Sequence, residues 1–244
     1  MSPNISKHFE QFKIRASEVD LNGKATLPAL CSLFQEVAGN HALMLNFDIS
    51  QLHEQNLTWV LHRMDIKISR FPDWRETITI ETWPAAGDAL RAYRDYRILD
   101  ENGTQIGCCL SYWMMMNLKT RRPTRMPKEV LELRLDEIEH VLPLKKDRPR
   151  PIKQTDVQKN FSVRRADLDM NKHVNNSKYL EWMLENLPEK TLTTINRVDI
   201  IFAKETYQDE NIQAKVAFIE EATSKHHLIN EKGETIALAE ISPH

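Results

Sequence analysis

Asp20-Leu21-Asn22 and Asp169-Met170-Asn171 stand 149 residues apart, and each leads into a stretch whose apolar residues recur at helical spacing. Self-similarity at a fixed offset reports a duplicated structural unit. Any fold for this chain of 244 residues must therefore be one that about half of it can form twice.

The first helical stretch, Leu27 to Leu45, places Leu30, Leu33, Phe34, Val37, Ala38 and His41 along one stripe, which predicts a buried helix. Its shorter copy runs from Ser177 through Tyr179, Leu180, Met183 and Leu184 to Leu187 and stops at Pro188, a residue that costs about 3 kcal/mol inside a helix. After each helix comes period-two alternation, Val60 to Ile68 in the first half and Val198 to Phe202 in the second, with Asp65 matching Asp199. Further strands are predicted over Thr77 to Trp83, Leu90 to Leu99 and Gln105 to Asn117. A turn at Asp100-Glu101-Asn102-Gly103 is echoed by Asn230-Glu231-Lys232-Gly233.

The order in each half is therefore strand, helix, then several antiparallel strands, and one buried helix covered by an antiparallel sheet satisfies it, because later strands pair through short hairpins while the helix covers one sheet face. This is the hotdog arrangement, and the repeat makes the chain an α+β double hotdog. Residues 1–125 are read as the N-terminal unit, 126–155 as a linker and 156–244 as the C-terminal unit. The proline-rich and basic stretch from about Lys119 to Asn160 looks like connection, with one helix over Pro127 to Arg134.

Composition removes several function classes. There is no apolar run of about 20 residues to cross a bilayer, and Met1 to Glu10 is polar, so a cytoplasmic protein is expected. Cys31, Cys108 and Cys109 form no CxxC pair and fit a reducing compartment. A net charge of -2 gives no reason to expect nucleic acid. None of the six glycines falls in a phosphate-cradling loop. His226 and His227 are neighbours on a strand and point to opposite faces, so neither a metal nor another cofactor is expected.

In a duplicated chain, polar chemistry present in one copy alone marks a candidate site. The two offsets set Asn22 against Asn171, Lys24 against His173, Arg70 against Lys204 and Phe71 against Glu205. The second half thus has His and Glu where the first has Lys and Phe. His173 exchanges protons readily near neutrality, Glu205 can take a proton from water, Asn171 can orient water or a carbonyl, and Asp169 can hold the turn. The helix starting near Asn176 turns its N-H groups toward the same place, where they could stabilise an oxyanion. On spacing alone, Asp169 to Asn176 reads equally well as a capped lead-in to a helix.

The run from Asp167-Leu168-Asp169-Met170-Asn171-Lys172-His173-Val174-Asn175-Asn176 to Trp182 resembles the signature of the plant and bacterial acyl-acyl carrier protein thioesterases. Leu33 to His41, Trp113 to Asn117, Thr120 to Arg122 and Lys204-Glu205 resemble further blocks of that family. The resemblance implies hydrolysis of fatty acyl-carrier thioesters, with the acyl chain held mainly by the N-terminal unit and catalysis in the C-terminal one. It places the catalytic Asp, Asn, His and Glu on Asp169, Asn171, His173 and Glu205. Thr206 stands where the plant enzymes commonly have cysteine, which disfavours a thiol nucleophile and favours water activated by Glu205 with help from His173. The absence of a transit segment points to a bacterial cytoplasmic version.

The expected partner is acyl carrier protein bearing a fatty acyl-phosphopantetheine, steered by Lys119, Arg121, Arg122, Arg125 and Lys128 together with Lys145, Lys146, Arg148 and Arg150. The same residues read equally as a solubilising linker, and homodimerisation stays open. Met114 to Met116 either line the acyl tunnel or pack the core. The alternatives are an acyl-CoA thioesterase, a hotdog dehydratase acting on a 3-hydroxyacyl chain, and a non-enzymatic acyl-binding module.

Overall fold

The computed structural model describes residues 7–85, 87–133, 139–219 and 223–243. Contacts divide the chain into two compact units: Met1–Thr26, Leu33–Met64 and Arg70–Leu144 form the first, and Leu27–Ser32, Asp65–Ser69 and Lys145–His244 the second.

The first unit opens with β1 (His8–Lys13), the expected leading strand, whose residues sequence periodicity does not locate; α1 (Leu27–Met44) follows, of which residues 33–44 belong to this unit. All six stripe residues of α1 are buried, and Phe34 stacks at a tilt on Tyr96 with ring centroids 5.0 Å apart. Burying a side chain of that size stabilises the fold by about 1.5–3 kcal/mol. The helix ends near Asn46, whose φ of 62° is left-handed. A short α2 (Ile49–Glu54) begins at Asp48, which caps it by accepting from the Gln51 amide.

Strands β2 (Leu57–Ile68, whose residues 57–64 belong to this unit), β3 (Thr77–Ala85), β4 (Arg91–Leu99) and β5 (Gln105–Asn117) complete the sheet, which runs β1-β3-β4-β5-β2. Met115 is fully buried and packs with Leu52, Met126 and Val130, so this methionine belongs to the core.

The supposed connector is more structured than its prolines and charges suggested. β6 (Arg122–Thr124) pairs with the end of β5, and Lys128–Leu131 forms α3. The expected helix ran on to Arg134, which lies outside the described residues. Val157–Ser162, whose start overlaps the proline-rich and basic stretch, is β7, the first strand of the second unit. A strand ahead of the helix was expected in each half, and periodicity fails to locate β1 and β7 for one reason: each is an edge strand with no fully buried residue, so neither needs an apolar face.

The second unit continues with α4 (Asn176–Leu184), α5 (Glu189–Leu192), β8 (Ile195–Phe202), β9 (Asn211–Phe218), β10 (Ser224–Asn230) and β11 (Thr235–Pro243). Its strands run β8-β11-β10-β9-β7. Ile212, Ala214 and Val216 of β9 and Ser224, His226 and Leu228 of β10 are buried at alternate positions, as a one-sided sheet requires. The order matches that of the first unit strand for strand.

Local geometry repeats as well. Asp100 Oδ1 accepts from the amides of Asn102 and Thr104, and Asn230 Oδ1 accepts from those of Lys232 and Glu234. Gly103 and Gly233 occupy the left-handed position in each turn, with φ of 76° and 74°. Within the second unit, Asp65 accepts a bidentate pair from Arg197 at 3.0 and 2.7 Å, and Lys145 reaches Asp199 at 2.8 Å. Lys145 is thus engaged in an internal ion-pair cluster, which removes it from the basic surface expected from sequence.

Candidate active site

The candidate residues sit on two segments of the second unit that backbone hydrogen bonds join. Asp169 lies in a tight loop between the short bridge partners Leu168 and Val174. Its Oδ1 accepts from the Asn171 amide at 2.8 Å and the His173 amide at 3.3 Å, while its own amide donates to the His173 carbonyl at 2.8 Å. The loop closes because Lys172 adopts a left-handed φ of 64°, the conformation that Gly23 supplies at the equivalent place in the first unit. The Val174 amide then donates to the Thr206 carbonyl at 2.9 Å, tying the loop to the segment that carries Glu205.

That tie brings His173 and Glu205 together. Nδ1 of the imidazole lies 3.6 Å from Oε1 of the carboxylate, and both side chains remain roughly a quarter exposed. The separation is slightly beyond a direct hydrogen bond, within what an unliganded site closes by small side-chain movement. The Tyr207 hydroxyl donates to Oε2 of the same carboxylate at 3.2 Å, and its ring meets the imidazole edge-on with centroids 5.0 Å apart. The side chain of Asn171 is half-buried and makes no hydrogen bond with another described residue, which leaves its amide donors for a ligand. Among the described residues, no group of three metal-ligating side chains occurs.

The helix end contributes less than its position in the sequence suggested. Asn175 caps α4, its side-chain oxygen accepting from the Ser177 amide at 2.9 Å, and the Lys178 amide donates to the Asn175 carbonyl at 2.9 Å. Two first-turn amides that would face an oxyanion are therefore occupied by the cap.

Thr206 is fully buried, and its Oγ1 accepts from the Tyr179 hydroxyl at 3.1 Å. Burial pushes the Tyr179 phenol up to about 12, so it stays protonated as a donor. Adjacent residues of an extended segment face opposite ways, which puts Glu205 outward and Thr206 inward.

The same loop in the first unit carries different chemistry. Lys24 Nζ, at the position of His173, pairs with Asp73 Oδ1 at 2.7 Å, and Asp73 holds the position of Tyr207. An ion pair thus occupies the place where the second unit has imidazole and phenol. The offset that sets Phe71 against Glu205 also sets Asp73 against Tyr207, and that difference between the halves is the sequence signal for Tyr207.

The first unit contributes an apolar cavity instead, lined by Ala38, Ala42, Leu45, Trp59, Trp113 and Val130. Arg94 reaches its wall, where Nη1 donates to His41 Nδ1 at 3.0 Å and Thr82 Oγ1 at 3.3 Å. Burial first, and the guanidinium second, hold His41 down to about 3, so it is a neutral acceptor.

Comparison with known proteins places this architecture. The family model described as the acyl-ACP thioesterase N-terminal domain matches residues 6–133, and that of the acyl-ACP thioesterase C-terminal domain matches residues 151–242. The chain is similar to an oleoyl-acyl carrier protein thioesterase of Coriandrum sativum, 32% identical over 95% of this chain and 68% of that one. It is also similar to a palmitoyl-acyl carrier protein thioesterase of Cuphea hookeriana, 32% identical over 76% of this chain but only 48% of that one. An acyl-ACP thioesterase structure from Bacteroides thetaiotaomicron superposes with a TM-score of 0.90 at 25% identity, covering all of both chains. A 12:0-ACP thioesterase from Umbellularia californica shares the fold, with a TM-score of 0.82 at 23% identity over 98% of this chain and 97% of that one.

Two tandem hotdog units of this kind define the class, a thioester hydrolase of double hotdog fold. The chain belongs to the acyl-ACP thioesterase family.

Proposed function

We propose that the protein releases free fatty acids from acyl carrier protein, using Glu205, His173, Asn171 and Asp169 of the second unit. The observation that carries this reading is the facing of His173 and Glu205 at 3.6 Å on a loop whose backbone Asp169 fixes. Glu205 takes a proton from water, and the resulting hydroxide attacks the thioester carbonyl carbon. Asn171 donates to the carbonyl oxygen as it gains charge. Glu205 passes the proton taken from water to the facing imidazole of His173, which delivers it to the departing sulfur of the phosphopantetheine arm as the C–S bond breaks, so both groups return to their starting state for the next turnover. Asp169 positions Asn171 and His173 through the backbone and touches no reacting atom. Thr206 faces the interior and takes no part.

The apolar cavity of the first unit suits the acyl chain, whose burial there is favoured by about 0.8 kcal/mol per methylene. Lys119, Arg121, Arg122 and Arg125 are exposed and of the sign that attracts an acidic carrier protein. We place the working boundaries at 1–125 for the acyl-binding unit, 126–155 for the linker and 156–244 for the catalytic unit. Among the described residues, no helix is long and apolar enough to cross a membrane. Cys31, Cys108 and Cys109 are buried thiols outside any disulfide, which suits a reducing, cytoplasmic setting.

The test is fatty acid release from carrier proteins loaded with chains of graded length, beside the matching coenzyme A esters, for wild type and Glu205→Ala. Release from carrier substrates that falls at least about 100-fold in the variant is expected. Equal turnover of both proteins would overturn the assignment of Glu205, and equal use of the coenzyme A esters would overturn the carrier preference.

A further inference from the structure

We infer that Tyr207 is a positioning residue of the catalytic cluster, setting the geometry of Glu205 and His173 together. The inference rests on the reading of Glu205 as the base that activates water.

Three observations support it. The Tyr207 hydroxyl donates to Oε2 of Glu205 at 3.2 Å, while Oε1 is the oxygen turned toward His173. One carboxylate oxygen is thereby anchored and the other is presented to imidazole and water. The phenol ring also meets the imidazole of His173 edge-on, at 5.0 Å and 85°, restricting its rotation. A single side chain therefore contacts both groups that exchange protons.

The third observation is the comparison of the two units. At the structurally matching pair of positions the first unit has Lys24 and Asp73, joined at 2.7 Å, and it has Phe71 in place of Glu205. The residue at the Tyr207 position contacts the residue at the His173 position in both units. In the first unit the contact closes the site with an ion pair; in the second it sets an aromatic ring against the imidazole and adds a hydrogen bond to the carboxylate. Tyr207 is 43% exposed, so its ring is not retained for core packing. An exposed tyrosine whose ring and hydroxyl both contact the proposed proton-transfer groups is accounted for by their positioning.

A preorganised carboxylate speeds the chemical step more than it aids binding of the ground state. Tyr207→Phe keeps the ring against His173 and removes the hydroxyl. It should lower kcat about three- to tenfold with KM and melting temperature unchanged, the loss expected for one ordinary hydrogen bond. Tyr207→Ala removes the ring too and should lower kcat further.

The decisive measurement is a double-mutant cycle in single-turnover hydrolysis of an acyl-carrier substrate. If Tyr207 acts through Glu205, Tyr207→Phe costs less than about twofold in a Glu205→Ala background. Wild-type kcat in Tyr207→Phe, or the same fold loss in both backgrounds, overturns the inference while leaving Glu205 as the base. Full turnover by Glu205→Ala alone overturns the underlying reading and the inference with it.

Discussion

Asp20 and Asp169 make the same hydrogen bonds. Oδ1 of Asp20 accepts from the amides of Asn22 and Lys24 at 2.8 and 3.0 Å, and Oδ1 of Asp169 accepts from those of Asn171 and His173 at 2.8 and 3.3 Å. The aspartate is thus a turn-forming residue in both units, and the site is made by what the turn carries. Asp169→Ala should lower kcat at least about tenfold by releasing Asn171 and His173, whereas Asp20→Ala should leave kcat within about twofold of wild type. Each should cost about 1 kcal/mol of stability, read from denaturant midpoints. A larger kcat loss for Asp20→Ala than for Asp169→Ala would contradict this division.

Thr206 gives a second expectation, because its hydroxyl is committed to Tyr179 in the interior. Thr206→Ala should retain most turnover and lose about 1–3 kcal/mol of stability, since the buried phenol loses an acceptor. Thr206→Ser, which keeps the oxygen, should recover most of that loss. Abolished turnover in a folded Thr206→Ala protein would mean that the residue has a chemical role.

A third outcome concerns pH. Burial pushes His226 down from 6.5 to about 3, and its Nε2 is 2.8 Å from Ser224 Oγ. The unfolded chain protonates this imidazole below about 6.5 while the native protein holds it neutral. Its contribution to stability is therefore complete above that pH and is lost as pH falls toward 3. One such histidine contributes a slope approaching 1.4 kcal/mol per pH unit in that window. Denaturant midpoints of wild type and His226→Leu between pH 7.5 and 5 should show a shallower decline in the variant; parallel declines would exclude His226 as a source of acid sensitivity.

The cavity of the first unit supplies a fourth. Ala42 lines it beside Trp59 and Trp113. Ala42→Phe should narrow the space, shifting the products toward shorter acids and reducing kcat/KM for the longest accepted chain by about tenfold. Melting temperature controls for overpacking of the wall. An unchanged chain-length profile would place the acyl group elsewhere.

Sequence alone determined the duplication, the helix of each unit, most strands and the residues proposed for the site, because buried periodicity and fixed offsets are written in local residue order. Asp169, Asn171 and His173 were legible as one loop, and Glu205 as the position where the halves part company. Only the tertiary structure showed that Val174 bonds to Thr206 and so sets His173 against Glu205, since 32 residues separate that imidazole and carboxylate along the chain. It also located the leading strands β1 and β7, whose edge positions need no apolar alternation, and showed the capped amides of α4, which spacing had offered to an oxyanion. Tyr207 marks the same boundary: its residue type was readable, but its hold on two partners comes from side-chain directions that only the folded backbone fixes.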